Sequence, residues 1–332
     1  MRCKDTDYLH AAARTAYLEN QLVTKADLLK ATEADSAKDA YRMLSGKHIF
    51  REYSMDEYEK AFEENLADTY NLIEEITGET GLTYMFRYPI DGHNIKVMIK
   101  SRAAGGDFSG LYKCGGTIDY DVMKREFDEK NFYHVPDILG AAALEAADVL
   151  AKTRDSQIVD ILVDKAVIAL MRNKAAEIDS ACLTDYVTAR IDMSNIRSAL
   201  RLLRMKKDTY TASRVFAEGG SFGTGELEEA YSTGYDGLKK LAERIPQAER
   251  ITEAISLVKQ GQSVGVFEEQ EDGCFRDLFE KARIVPFGIE PVITYLYLKN
   301  QEIRACRMVL VSKLYNLPKE KIAERVEYIY AY

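Results

Sequence analysis

The run with the most chemical promise is the glycine-rich segment Gly219-Gly-Ser-Phe-Gly-Thr-Gly225, because the amides of closely spaced glycines can wrap a polyphosphate. A Walker loop places four residues between its first glycine and a Gly-Lys-Ser/Thr end, and from Gly220 that count does reach Gly225. Glu226 and Leu227 then stand where lysine and a hydroxyl are needed, and a carboxylate there repels phosphate. The segment reads as a linker, as do Gly105, Gly106 and Gly110. His10, His48, His93 and His134 are widely spaced, and neither an H-E-x-x-H nor a paired-cysteine motif builds a metal site. Cys3, Cys114, Cys182, Cys274 and Cys306 form no C-x-x-C, and no G-x-S-x-G elbow presents a nucleophile. The expectation is a chain that is not an enzyme, with no catalytic residues, no cofactor and no metal.

The remaining chemistry is charge. Arg197, Arg201 and Arg204 step by four and three residues, Lys206 and Lys207 follow, and Ile196, Leu200 and Leu203 run beside them. On a helix this gives one face that packs and one basic face. That face is either solvated or turned toward an acidic partner. Forty-five Lys and Arg against 54 Asp and Glu leave the chain at −9, so a broadly phosphate-neutralising surface is excluded and nucleic acid is not an expected partner.

The elements that must carry these residues are helices. Six prolines in 332 residues allow long uninterrupted helices, and 46% apolar with 30% charged residues is ordinary globular composition. Tyr58, Phe62, Leu66, Thr69, Ile73 and Ile76 lie on one helical stripe, opened by a Ser54-Met-Asp-Glu57 capping box and closed by Gly78. Pro318 starts a helix carrying Ile322, Val326 and Ile329, and Leu227, Tyr231, Gly234, Leu238 and Leu241 form a further stripe that tolerates one glycine. No sustained period-two alternation marks a sheet, so the fold class is all-α. The windows Ile138 to Leu150 and Ile158 to Met171 are broken by charges and fall short of the ~20 apolar residues that span a bilayer. With no apolar signal core at the N-terminus, the chain reads as reduced and cytoplasmic. The tyrosine-rich end, Tyr328, Tyr330 and Tyr332, reads as packing.

Internal repetition organises the chain. Asp91-Gly-His-Asn94-Ile95-Lys96 aligns with Asp192-Met-Ser-Asn195-Ile196-Arg197 and, less closely, with Glu302-Ile-Arg-Ala305-Cys306-Arg307, at offsets of 101 and 110. Gly115-Gly116-Thr-Ile118 through Met123 matches Gly219-Gly220-Ser-Phe222 through Leu227, and Val23 and Leu28 keep the apolar spacing without the glycines. The period is far longer than the ~34 residues of a tetratricopeptide repeat or the ~40 to 47 of HEAT and armadillo repeats. Three helical repeats of one continuous fold are expected, 1–107, 108–215 and 216–332. Asp91, Asn94, Asp192 and Asn195 are expected to cap helix starts, since Asp and Asn accept from exposed first-turn amides.

At these residues the sequence resembles the C-subunit family of prokaryotic V-type (A/V-type) ATP synthases, related to the d-subunit of the eukaryotic vacuolar ATPase. Tyr8-Leu-His-Ala-Ala-Ala-Arg14 with Tyr17-Leu18-Glu19 is similar to the family's opening helix. Pro286-Phe-Gly-Ile-Glu290-Pro291-Val-Ile-Thr-Tyr295, with Glu302, Arg307 and Lys313, resembles its closing signature. Asp91-x-x-Asn94 and Asp192-x-x-Asn195 match its internal repeats, and Ala305 departs from them. The resemblance implies a funnel-like helical body of three pseudo-repeats about a central cavity. It also implies a non-catalytic rotor component of the central stalk. As a socket it would join the shaft, made of the D- and F-subunits, to the membrane proteolipid ring, passing torque for proton or sodium transport coupled to ATP synthesis or hydrolysis. Such a component lies at the cytoplasmic face of the membrane without inserting into it. On this reading Lys96, Arg197, Arg201, Arg204 and Arg307 meet acidic groups of the shaft or ring. A helical-repeat scaffold for a soluble protein partner is the alternative.

Overall fold

The segment after Ser54 shows how the local signals work. Both the amide and the hydroxyl of Ser54 donate to the Glu57 carboxylate, at 3.3 and 2.8 Å, and a single 3-10 turn leads into the helix Tyr58–Thr77. Phe62, Thr69 and Ile73 are buried along its predicted stripe, and Gly78 closes it in the left-handed conformation. Sequence punctuation of this kind recurs along the chain.

A computed structural model describes residues 5–45, 53–78, 81–106, 108–246 and 248–329. Cys3, His48, Tyr330, Tyr332 and the side chain of Tyr328 lie outside the described residues. Among the described residues there are sixteen α-helices and no strand. In chain order they are α1 Leu9–Glu19, α2 Lys25–Thr32, α3 Ala37–Ser45, α4 Tyr58–Thr77, α5 Tyr84–Ala104, α6 Tyr120–Glu129, α7 Asp137–Thr153 and α8 Ser156–Ile178. There follow α9 Ala181–Arg204, α10 Thr209–Val215, α11 Thr224–Thr233, α12 Tyr235–Ala242, α13 Ala248–Lys259, α14 Gly265–Ala282, α15 Glu290–Leu314 and α16 Lys319–Ile329.

The chain divides into two units. The first joins Met1–Phe86 to Arg276–Tyr332, and α15 is its central element, packed on α1, α2, α3, α4 and α16. Its core brings Val23, Leu28 and Phe62 from the N-terminal part against Cys306, Val309 and Leu310 of α15 and Ile322 of α16. The second unit, Arg87–Phe275, is built on the successive neighbours α7, α8 and α9, with α10, α11 and α12 against α9. Ile191, Ile196, Ala199 and Leu200 of α9 are fully buried there.

One expected element divides. The stripe Leu227 to Leu241 is not a continuous helix, because α11 ends at Thr233 and Gly234, at φ +80° and ψ −150°, turns the chain into α12. That backbone conformation is open to glycine and closed to L side chains. Leu227, Tyr231, Leu238 and Leu241 are nevertheless all buried, so the apolar spacing survives the break.

Three long helices share one register at their C-terminal ends. Gly105, Lys206 and Asn316, each fourteen residues beyond Asp91, Asp192 and Glu302, have φ of +68°, +52° and +52°. In each, the next amide donates back to the carbonyl five residues earlier: Gly106 to Ser101, Lys207 to Leu202 and Leu317 to Ser312. This is the Schellman closure, which satisfies carbonyls that a helix end leaves without partners.

Candidate partner-binding surface

Asp91 and Asn94 do not start a helix. They lie inside α5, and Asp192 and Asn195 lie inside α9, so the expected helix-start caps are corrected. Their side chains cap something else. Oδ2 of Asp91 accepts the Thr117 amide at 3.1 Å and the Thr117 hydroxyl at 2.6 Å, and Oδ1 accepts the Ile118 amide at 3.4 Å. The Asn94 amide group donates to the Lys113 carbonyl and its oxygen accepts the Lys113 amide, both at 2.9 Å. In α9 the same clasp forms again: Asn195 exchanges both hydrogen bonds with Ala217, and Asp192 accepts the Ser221 amide at 2.8 Å. Each clasp holds the backbone just ahead of a helix, α6 in one case and α11 in the other. A buried polar side chain in mid-helix is tolerated here because its hydrogen-bonding groups are matched.

The clasp explains the paired glycines. Gly115 and Gly219 take φ of +88° and +92°, and a Cβ at Gly116 or Gly220 would run into Oδ1 of Asp91 or Asp192. The segment 219–225 is therefore a held turn and not a loose linker; at its end the Gly223 amide donates to Glu226 at 3.0 Å and opens α11. Arg87 completes the first clasp, donating to the carbonyls of Gly115 and Gly116. The third copy lacks glycines and uses a longer acid. Glu302, buried in α15, accepts the Val23 amide at 2.6 Å, just ahead of α2, and pairs with buried Lys299 at 2.7 Å.

Burial dominates the acidity of the two aspartates. It pushes the Asp91 carboxyl up from an ordinary 3.8 to about 6, against the hydrogen bonds from Thr117 and Ile118 and the charge of Arg87. The Asp192 carboxyl is raised for the same reason, against the bonds from Ser221. Glu126 in α6 goes the other way. Burial opposes its charge, but the amides of Tyr133, His134 and Val135 and the His134 ring, with Nδ1 at 2.5 Å, outweigh it and hold the carboxyl at about 2.

The basic residues expected to meet a partner are engaged within the chain. Lys96 and Lys100 of α5 reach Asp164 and Asp160 of α8 at 2.8 and 2.6 Å. Arg197 and Arg201 of α9 reach Glu271 and Glu268 of α14 at 2.7 and 2.6 Å. Arg307 of α15 pairs with Glu59 of α4 at 2.7 Å and lies over the Phe62 ring. Arg204 donates to the Gln262 carbonyl at 3.1 Å, and Lys207 pairs with Asp155. Within the chain Arg197 and Arg201 tie α9 to α14, and Arg204 and Lys207 tie its end to neighbouring segments. Its acidic counterparts were visible as steps of four between Asp160 and Asp164 and of three between Glu268 and Glu271, mirroring the basic step of four. Glu271 is buried, which raises its carboxyl pKa, with Arg197 and Arg190 pulling it back.

The His93 ring meets the Leu111 carbonyl at 2.9 Å, and burial lowers its pKa. Among the described residues no group of three or more His, Cys, Asp or Glu side chains is placed to hold a metal ion, and no helix is long and apolar enough to cross a membrane. The first unit has a pocket of about 430 Å³ where Glu64, Asp68 and Thr69 of α4 face Lys299 and Glu302 of α15.

Comparison with known proteins places this clasped, charge-tied helical frame. The chain is 22% identical over 328 residues to the C-subunit of the V-type sodium ATPase of Enterococcus hirae, covering 94% of this chain and 95% of that one. It is 25% identical over 330 residues to the C-subunit of the A-type ATP synthase of Methanothermobacter thermautotrophicus, with coverage of 92% and 84%. The C-subunit of the V-type ATP synthase of Thermus thermophilus matches at 22% over 256 residues, 71% of each chain. The family model for the ATP synthase (C/AC39) subunit matches residues 11–325, from α1 into α16, and by that match the chain belongs to this family.

Proposed function

We propose that the chain is the central-stalk adaptor of a V/A-type rotary ATPase, a socket between the shaft of D- and F-subunits and the proteolipid ring. The family is one of non-catalytic ATP synthase subunits, and membership makes the chain part of a larger ATPase assembly. On this reading repeats 1–107, 108–215 and 216–332 form the walls of a funnel at the cytoplasmic membrane face, and the assembly moves protons or sodium ions as ATP is made or hydrolysed.

The observation that carries the reading is the clasp found three times at one register, from Asp91, Asp192 and Glu302, each accompanied by a basic residue five positions on that is ion-paired to another helix. A part that passes torque between two others needs stiffness more than it needs reactive groups. Cross-helix ion pairs and side-chain clasps on loop backbones resist bending, because each fixes an element that hydrophobic contact alone lets slide. Lys96, Arg197, Arg201, Arg204 and Arg307 serve the rotor as these ties.

The test is an affinity pull-down of the tagged full chain from mildly solubilised membranes of its own source, read by mass spectrometry. Retention of a two-protein shaft, a proteolipid and nucleotide-binding head subunits is expected. A different soluble partner with none of these would overturn the reading and favour a scaffold.

A further inference from the structure

The second unit carries a groove that the clasps and ion pairs leave unused. It has a volume of about 1140 Å³ and lies between the last turn of α5, the end of α6 and the second half of α7. The floor is apolar: buried Phe127 and half-buried Leu144 and Ala147, with exposed Ala103 and Ala151 beside them. Short side chains on two helices leave room for a third backbone to come within the roughly 8 to 10 Å of ordinary helix packing.

The mouth is positive. Lys130 and Arg154 follow the last turns of α6 and α7 in left-handed conformation, φ +53° and +56°, and both are exposed. Neither makes an ion pair among the described residues. The other charges lining the groove are matched, Lys100 by Asp160, Arg102 by Asp128 and Asp148 by Lys152. In a chain of net charge −9, two unmatched cations flanking an apolar floor ask for an acidic complement.

We infer that this groove seats an amphipathic helix of a partner protein, its apolar face on the Phe127–Ala147 floor and its Asp or Glu side chains against Lys130 and Arg154. Apolar anchors at helical spacing would supply most of the affinity, and the two ion pairs would set register and direction.

The experiment places the photocrosslinker p-benzoylphenylalanine at Ala147 of the full chain, with Tyr133→p-benzoylphenylalanine as an exposed reference, in the complex retained from membranes. The expected result is an interchain crosslink from position 147 to a helical segment bearing Asp or Glu. Its yield should fall at least fivefold in Lys130→Glu/Arg154→Glu and more than in the neutral Lys130→Gln/Arg154→Gln, which separates charge complementarity from any loss of stability at these two helix ends. Ala147→Trp, which sets an indole on the apolar floor, should also weaken retention of the partner. No interchain crosslink at 147, a crosslink no stronger than at 133, or a yield that ignores the charge reversal overturns the inference. Recovery of shaft, ring and head subunits without any crosslink from 147 removes the groove and leaves the rotor reading. A charge-dependent crosslink to an acidic helix of some other protein, with shaft, ring and head subunits all absent, keeps the groove and removes the rotor.

Discussion

At the scale of single residues, Asp91 shows how a clasp couples to pH. Its carboxyl sits at about 6 when folded against an ordinary 3.8, so the folded chain keeps a proton that the unfolded chain has lost across that interval. Stability from this group is therefore greatest below pH 3.8, falls as pH rises to about 6, and is level above it. The span corresponds to about 3 kcal/mol. Urea unfolding of the native chain and Asp91→Asn across this range should show the native chain losing ground to the variant by that order; parallel curves would contradict the account. Glu126 has the opposite sign. Held at about 2 against an ordinary 4.5, it stabilises fully above pH 4.5 and is lost as pH falls toward 2, so Glu126→Gln should cost about 2 kcal/mol at pH 7 and flatten that acid limb. The glycines give a third expectation at this scale. Gly220→Ala drives a methyl into Asp192 and should cost about 1 to 3 kcal/mol, whereas Gly225→Ala, with open space at its Cβ inside α11, should be neutral or mildly stabilising in the same urea unfolding.

At the scale of elements, the ion pairs that tie helices differ in depth, and that decides what each contributes. Arg197 faces Glu271, whose side chain is 8% exposed, whereas Arg201 and Glu268 are 36% and 42% exposed. Removing Arg197 takes a close counter-charge from a buried carboxylate and should cost about 3 to 5 kcal/mol, while Arg201→Ala should cost under about 1 kcal/mol. Glu271→Gln combined with Arg197→Ala should recover part of the loss in a double-mutant cycle, and equal single-site costs would refute the distinction. The helices themselves were legible because their signals are local: the Ser54 box, Gly78, and the apolar steps of α4 and α16. Asp91 and Asp192 were misread because a side chain that caps a helix start and one that caps a distant loop present the same acceptor in sequence. Only a partner 26 to 29 residues away tells the two apart. The stripe through Gly234 failed for a related reason, since periodicity records which residues are buried and not whether the backbone between them is unbroken.

At the scale of the molecule, the chain closes its first unit with its own two ends. Val23, Leu28 and Phe62 are buried against residues of α15 and α16, both contributed by the segment Arg276–Tyr332, and Glu302 holds the amide of Val23. This closure was half visible, in the apolar pair Val23 and Leu28 that kept the repeat spacing without its glycines. The acid that stands where the other two clasps have Asp91 and Asp192 is one methylene longer, and nothing in spacing alone reveals that it reaches back 279 residues. The consequence for folding is specific. A chain ending at Phe275 keeps α6 to α13 whole and α14 as far as Phe275, but loses the α15 surface on which α1, α2, α3 and α4 pack, so its N-terminal helices no longer bury enough apolar area to offset the entropy of ordering them. Hydrogen exchange read by mass spectrometry should then show amides of α2 and α3 exchanging as an unfolded chain while those of α8 and α9 retain protection. Adding residues 276–332 back as a separate peptide should restore protection in α2, because the contacts it supplies are non-covalent. Protection of α2 and α3 in the truncated chain without the peptide would show that the N-terminal helices carry their own core, and the closure of the first unit by its two ends would then be no more than a local contact.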